Sequence, residues 1–270
     1  MKEIFFVITF LAFQQLVSAQ EAIDFEFSYP ENSSFTIEQK IDNSGNMKIM
    51  GSPQEIADLK KAGYNENRKL RYLIAYISEY KTQTKKSDSF PFEFFYKTVL
   101  FDIDSDGKKQ KKELSFPNEV LKGDLINGKL SVIKSAETGD ASQNQYINSL
   151  PRYFTVEFPK VSQMKIGASF TVNRVAESKT DGYSLNGSLK YTLTKIDKDL
   201  SYFSILIDQS NEKQSTFKSS GNGTGEMIYN HKDKYIVSEK MIIKLNSVSN
   251  DTVKMVADNT IISTYVLKLK

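Results

Sequence analysis

The chain has 270 residues, is 39% hydrophobic and 12% aromatic, and sets 36 basic against 33 acidic side chains for a formal net charge of +3. That much apolar chain suits a folded core rather than disorder, and so slight a basic surplus is no nucleic-acid footprint. With no cysteine and one histidine, disulfides, thiol catalysis, cysteine-ligated zinc and a multi-histidine metal site are all excluded.

Met1-Lys2-Glu3 leads into the apolar run Ile4–Phe13, and Val17-Ser18-Ala19 places small side chains ahead of Gln20. This pattern predicts a secretory signal peptide over residues 1–19, too short and wrongly flanked for a transmembrane anchor. The expectation is a periplasmic or extracellular protein of a Gram-negative bacterium. It is not expected to be a lipoprotein, because no cysteine follows the cut.

Residues 20–150 read as a β-rich N-terminal lobe. Ser33–Ile49 suggests a hairpin that turns at Asp42-Asn43-Ser44-Gly45-Asn46. Ser52, Pro53 and Glu55 spell a helix start with a capping box, Ile56 and Leu59 share a face, and Gly63 is a natural stop. Leu70, Leu73, Ile74 and Ile77 fit a helical stripe, whereas Tyr72, Ile74, Tyr76 and Tyr80 fit a strand; the β-branched and aromatic content favours the strand. Over Phe90–Ile103, Phe92, Phe94 and Tyr96 point one way and Phe95, Val99, Phe101 and Ile103 the other, as in a central strand covered on both faces.

Residues 151–270 read as a C-terminal antiparallel lobe opening at a break near Pro151, with Phe154, Val156 and Phe158 following. Strands are expected over Ser162–Val175, Ser188–Ile196, Leu200–Asp208, Gly225–Asn230, Tyr235–Leu245 and Thr252–Leu269. Connections are expected at Lys179–Gly182, Lys195–Lys198, Ser219–Gly223, Lys232-Asp233 and Asn246–Asp251. Ser34-Phe35-Thr36-Ile37 is echoed by Ser169-Phe170-Thr171-Val172, which favours a duplicated arrangement. The fold expected is mainly β, with two lobes of antiparallel sheet (a curved sheet, sandwich or half-barrel) and one short helix near 53–62.

Phe158-Pro159-Lys160 with Met164–Phe170, the run Gly221–Met227, and Tyr235–Met241 together resemble an uncharacterised extracytoplasmic bacterial family common in Bacteroidetes. Ala168 and Phe170 stand where that family usually has an acidic residue and a tryptophan. The resemblance, mainly over 150–270, implies an envelope setting and a β fold and brings no known active site.

One local motif has metal-ligand spacing. Asp102, Asp104, Asp106 and Glu113 occupy positions 1, 3, 5 and 12 of a calcium-loop pattern, with Gly107 at 6. Against calcium stand Lys108, Lys109, Lys111 and Lys112, which read instead as an acidic turn followed by a lysine-protected edge. Gly221–Gly225 lacks the Lys-Ser/Thr ending of a phosphate loop. His231 falls in a turn, acid pairs such as Asp197/Asp199 have nothing to fix their separation, and no serine sits in a nucleophile elbow. The chain therefore does not read as an enzyme.

The positive case is architectural. Phe92, Phe94, Tyr96, Phe170, Tyr191 and Tyr202 are the residues expected to line a concave apolar surface, although each could equally fill a β core. The function expected is a binding or carrier module for a hydrophobic small molecule, lipid or envelope component. The alternative is a structural or protein-interaction component of the envelope, with hydrolysis the least supported.

Overall fold

The computed structural model describes residues 21–84, 86, 89–114, 121–126, 129–134, 158–178, 183–210, 217–249 and 253–270. The signal peptide expected over 1–19, the break at Pro151 and the connection at Lys179–Gly182 lie outside the described residues. No described helix is long and apolar enough to cross a membrane.

The first half contributes strands β1 (Ala22–Phe25), β2 (Ser34–Met50), β3 (Asn67–Thr82), β4 (Ser89–Ser105), β5 (Lys108–Leu114), β6 (Leu121–Ile126) and β7 (Lys129–Lys134), with helix α1 (Pro53–Lys61) between β2 and β3. The second half contributes β8 (Val161–Lys165), β9 (Ser169–Ser178), β10 (Tyr183–Asp197), β11 (Leu200–Ser210), β12 (Phe217–Asn230), β13 (Tyr235–Ser249) and β14 (Lys254–Leu269). The fold is mainly β and antiparallel, with one short helix among the described residues.

Twelve strands form one sheet in the order β7-β6-β4-β3-β2-β14-β13-β12-β11-β10-β9, with β5 paired to β4, while β1 and β8 pair separately. The last strand closes on β2 in unbroken register from Lys254↔Met50 to Leu269↔Phe35, so the sheet runs through both halves of the chain.

Period-two alternation gives this sheet two unlike faces. Phe35, Ile37, Ile41, Gly45 and Met47 of β2 share a face with Tyr80, Tyr76, Tyr72 and Leu70 of β3, and with Leu267, Ile261 and Ala257 of β14. Glu38, Lys40, Asp42, Ser44 and Lys48 take the other. We call the apolar face inner, because the sheet curls around it: Tyr235 of β13 packs with Phe92 and Phe94 of β4, across three intervening strands.

Two buried clusters stand on the inner face. One centres on Phe170, Tyr191, Leu193, Phe203, Ile205 and Tyr229 and is capped by Ile23 and Phe25 of β1 and Met164 of β8. The other gathers Phe35, Ile37, Tyr80, Phe92, Phe94, Tyr235 and Leu267. The echoed tetrapeptides open β2 and β9, and Phe35 and Phe170 each belong to one of these clusters.

Helix α1 begins as its sequence predicts. Ser52 accepts from the Glu55 amide and the Glu55 carboxylate accepts from the Ser52 amide at 2.7 Å, while Gly63 ends the segment at φ +86°.

Three expectations are corrected. Asp42–Asn46 is no turn: β2 runs straight through it, hydrogen-bonded to β3 on one side and β14 on the other, so two long ladders override a local turn signal. Gly45 fits there because a Cβ would stand 2.5 Å from the Asp258 carbonyl oxygen and 1.9 Å from the Asn259 side-chain Oδ1.

In β4, Lys97 is an extra residue between the pairs Tyr96↔Ser78 and Thr98↔Ile77. That bulge reverses the parity and returns Val99, Phe101 and Ile103 to the face of Phe92, Phe94 and Tyr96, so most of the strand's apolar side chains share one face while Phe95 keeps to the other as expected.

Finally, Ser219–Gly223 belongs to β12 instead of connecting strands. A Cβ on Gly221, Gly223 or Gly225 would lie 2.3–2.5 Å from carbonyl oxygens of β13, so the close approach of the two strands requires the glycines.

Candidate functional site

The inner face is filled at one end and open at the other. At the filled end Phe25 is 1% exposed and makes ring contacts with Phe158, Phe170, Phe203 and Tyr229 at centroid separations of 4.5–5.7 Å. Phe170 stacks on Tyr191 at 5.0 Å, and the Tyr191 hydroxyl donates to Glu239 at 3.1 Å.

A polar clasp holds this cap in place. The Tyr229 hydroxyl donates to the Glu26 carbonyl at 2.9 Å, and burial pushes its pKa up to about 12. The Glu26 carboxylate is paired with Lys160 and, at 2.7 Å, with Lys234. Hydrogen bonds from those two lysines hold its pKa at about 2.

Five of the six aromatics expected to form a binding surface stand at this closed end or in the adjoining cluster. Phe92, Phe94, Phe170 and Tyr191 are buried and Tyr96 packs against them. Tyr202 does not join them. Its register places it on the outer face, under the Lys195 ammonium at 5.1 Å from the ring centroid.

Beyond the clusters the same apolar parity continues without a cap from β1 or β8. Ile41, Ile74, Phe101 and Ile261 are half-buried there, and Leu70 and Ile103 are exposed. A pocket of about 300 Å³ opens in this region, lined by Met47, Leu70, Tyr72, Leu245 and Ala257, with Asn43, Asn46, Ser219, Ser247 and Asn259 as its polar members.

Residues of β3 and β12 meet around this pocket although three strands separate them, which the curl of the sheet brings about. The sequence signal for it is inner-face parity occupied by small polar side chains, at Asn43, Ser247 and Asn259, in an otherwise aliphatic row. It was hidden while Asp42–Asn46 and Ser219–Gly223 read as turns.

The calcium-spaced acids do not converge. Asp106 and Gly107 form the two-residue β4–β5 hairpin turn with φ +53° and +83°, the left-handed pair that an Asp-Gly turn supplies. Asp104 accepts the Gly107 amide at 2.9 Å, and Asp106 accepts the Lys69 amide at 2.7 Å and the Arg68 guanidinium at 3.4 Å.

Asp102 lies opposite Lys111, and Glu113 lies opposite Leu100, further along the strand. Asp106 is thus committed to protein donors, and no three acidic or histidine side chains among the described residues are grouped to hold a metal ion.

His231 is more engaged than a solvated turn residue. Its Nδ1 is 2.8 Å from the Ser201 hydroxyl, a pairing with no signal in the sequence. Ser201 is fully buried, so this pair closes the end of β11 rather than facing a cleft. The pocket offers apolar surface and uncharged polar groups, and charged side chains line the space beside it.

No family model matches this chain, and no curated protein matches it. Among solved structures, a mutant porin from Rh. blastica is 8% identical, covering 86% of this chain and 100% of its own, with a TM-score of 0.26. Pseudomonas aeruginosa OccK7 (OpdD) is 4% identical over 88% of this chain and 99% of its own, with a TM-score of 0.29. Pseudomonas aeruginosa OccK5 (OpdH) is 7% identical over 89% and 100%, with a TM-score of 0.24. At such scores the likeness assigns this chain neither a fold family nor a role.

Proposed function

We propose that this is an exported binding or carrier module of the bacterial envelope, with the uncovered end of its inner face taking a hydrophobic small molecule or lipid. The observation that carries the reading is a single apolar sheet face, capped by β1 and β8 at one end and left at the other with a pocket whose open surface is mainly apolar. Each buried methylene of a ligand contributes about 0.8 kcal/mol, so a short alkyl chain laid there reaches useful affinity. The resemblance to the extracytoplasmic family fits this setting, and we assign the protein no catalytic role.

Titration with N-phenyl-1-naphthylamine, a neutral apolar fluorophore, tests the reading. Saturable one-to-one enhancement that weakens in Leu70→Ala is expected, together with an apolar compound in stoichiometric amount in organic extracts of the protein. Absence of both overturns it.

A second reading, a protein-interaction component of the envelope, is favoured by one outer-face feature. Leu206, Ile242 and Ile262 are exposed and lie in one row across β11–β14, with Thr224 between the first two.

A further inference from the structure

The polar members of the pocket narrow the class of ligand, an inference that rests on the binding reading above. Among the described residues three buried side-chain oxygens take no hydrogen bond: Asn43 Oδ1, Glu79 Oε1 and Gln209 Oε1. Glu79 is accounted for by ion pairs with Lys97 and Lys270. The two amide oxygens are not, and both stand on the inner face. Asn43 lies between Tyr72 and Ile261 in the pocket wall, and Gln209 lies opposite Gly221.

A buried acceptor with no donor is a standing cost, and native proteins keep such groups where a missing partner completes them. The other pocket groups do not serve Asn43. Ser219 and Ser247 hydrogen-bond each other at 2.8 Å, and the Asn259 amide lies over the space that Gly45 leaves.

No charged side chain lines the pocket itself. In the adjoining space, which shares Gly45, Asn46, Leu70 and Asn259 with it, Lys69, Arg71 and Lys244 are balanced by Asp104, Asp106 and Asp258. No net positive charge therefore offsets the desolvation of an ionised head group. We propose that the site selects an uncharged amphiphile whose polar end carries a hydroxyl or amide N–H. That group would donate to Asn43 Oδ1, which a turn of the amide about its terminal torsion brings from its buried position toward the pocket, while its apolar body lies along Leu70 and Tyr72. An ionised fatty acid would be excluded.

Calorimetric titration of the full protein with 1-octanol, methyl octyl ether and octanoate separates the terms. The alcohol and the ether share a chain, but only the alcohol donates. Octanol is expected to bind about tenfold more tightly than the ether, the usual scale of one buried hydrogen bond, and octanoate to bind weakest.

In Asn43→Leu the octanol preference is expected to vanish while ether affinity holds; Asn43→Ala replaces it if the leucine variant does not fold. Equal affinity for octanol and ether, or a preference that survives loss of Asn43, overturns the donor inference and leaves the apolar-face reading standing. Binding of neither overturns both.

Discussion

The two ends of the inner face are built from the same alternation but not from the same side chains. At the closed end the inward positions hold large rings, which interlock with Phe25 and Phe158 and leave Tyr191, Tyr229 and Leu193 with no exposure. At the open end they hold mainly isoleucine, leucine, glycine and small amides, with Tyr72 and Phe101 as sparse rings among them, and leave room above the sheet. Aromatic density therefore marks where this protein is solid, and its decline marks where something else fits.

The sharpest way to break the contrast is to remove the cap. Phe25→Ala deletes a buried ring that touches four others, and large-to-small changes of this kind cost about 3–5 kcal/mol. Urea unfolding should register that loss without weakening the binding of an apolar probe at the other end. A loss below about 1 kcal/mol would mean that the cap does not hold the closed end together.

The curl that creates the pocket depends on β12 lying close to β13. In Gly223→Val the Cβ would sit 2.3 Å from the Ile242 carbonyl oxygen, so the strands must part. A destabilisation of about 1–3 kcal/mol is expected, with apolar-probe affinity lost together with stability. Retention of full affinity would separate the pocket from the curl.

Legibility in the sequence followed the range of the interactions. The capping box at Ser52 and Glu55 and the turn at Asp106-Gly107 are local, and both were readable from a few neighbouring residues. The path of β2 through Asp42–Asn46 was not, because its two ladders are long-range and nothing local announces them. The inserted Lys97 was hidden for a related reason. A bulge changes parity without changing composition, so Phe101 and Ile103 looked like a second apolar face.

The site suffered twice. Asn43, Ser219 and Ser247 fall in segments whose composition reads as turns or connections, and of the six aromatics expected to bind all but Tyr202 fill or pack on the core.

At the open end the balance between stability and binding should invert. Leu70 is 40% exposed, so Leu70→Ala gives up little packing and should cost under about 1 kcal/mol of stability. The same truncation removes a wall of the pocket and should weaken apolar-probe binding several-fold. If stability falls while affinity holds, the residue belongs to the core and the contrast between the two ends is wrong.

The smallest effect expected is electrostatic and confined to the clasp. Hydrogen bonds from Lys160 and Lys234 hold the Glu26 carboxyl at about 2, against an ordinary 4.5, with burial opposing them. The folded protein thus prefers the ionised form. The clasp is fully stabilising above about pH 4.5, and its contribution is lost as pH falls through the interval down to about 2.

Much of this site is in contact with water, so the contribution is about 0.2–1 kcal/mol rather than what the full shift would imply. Glu26→Gln should flatten the acid limb of stability against pH by that amount, converge with wild type near pH 2, and leave apolar-probe affinity at neutral pH untouched. A change in that affinity would show that loosening the clasp is felt at the open pocket, and that the two ends form one cooperative unit rather than a solid end and a receptive one.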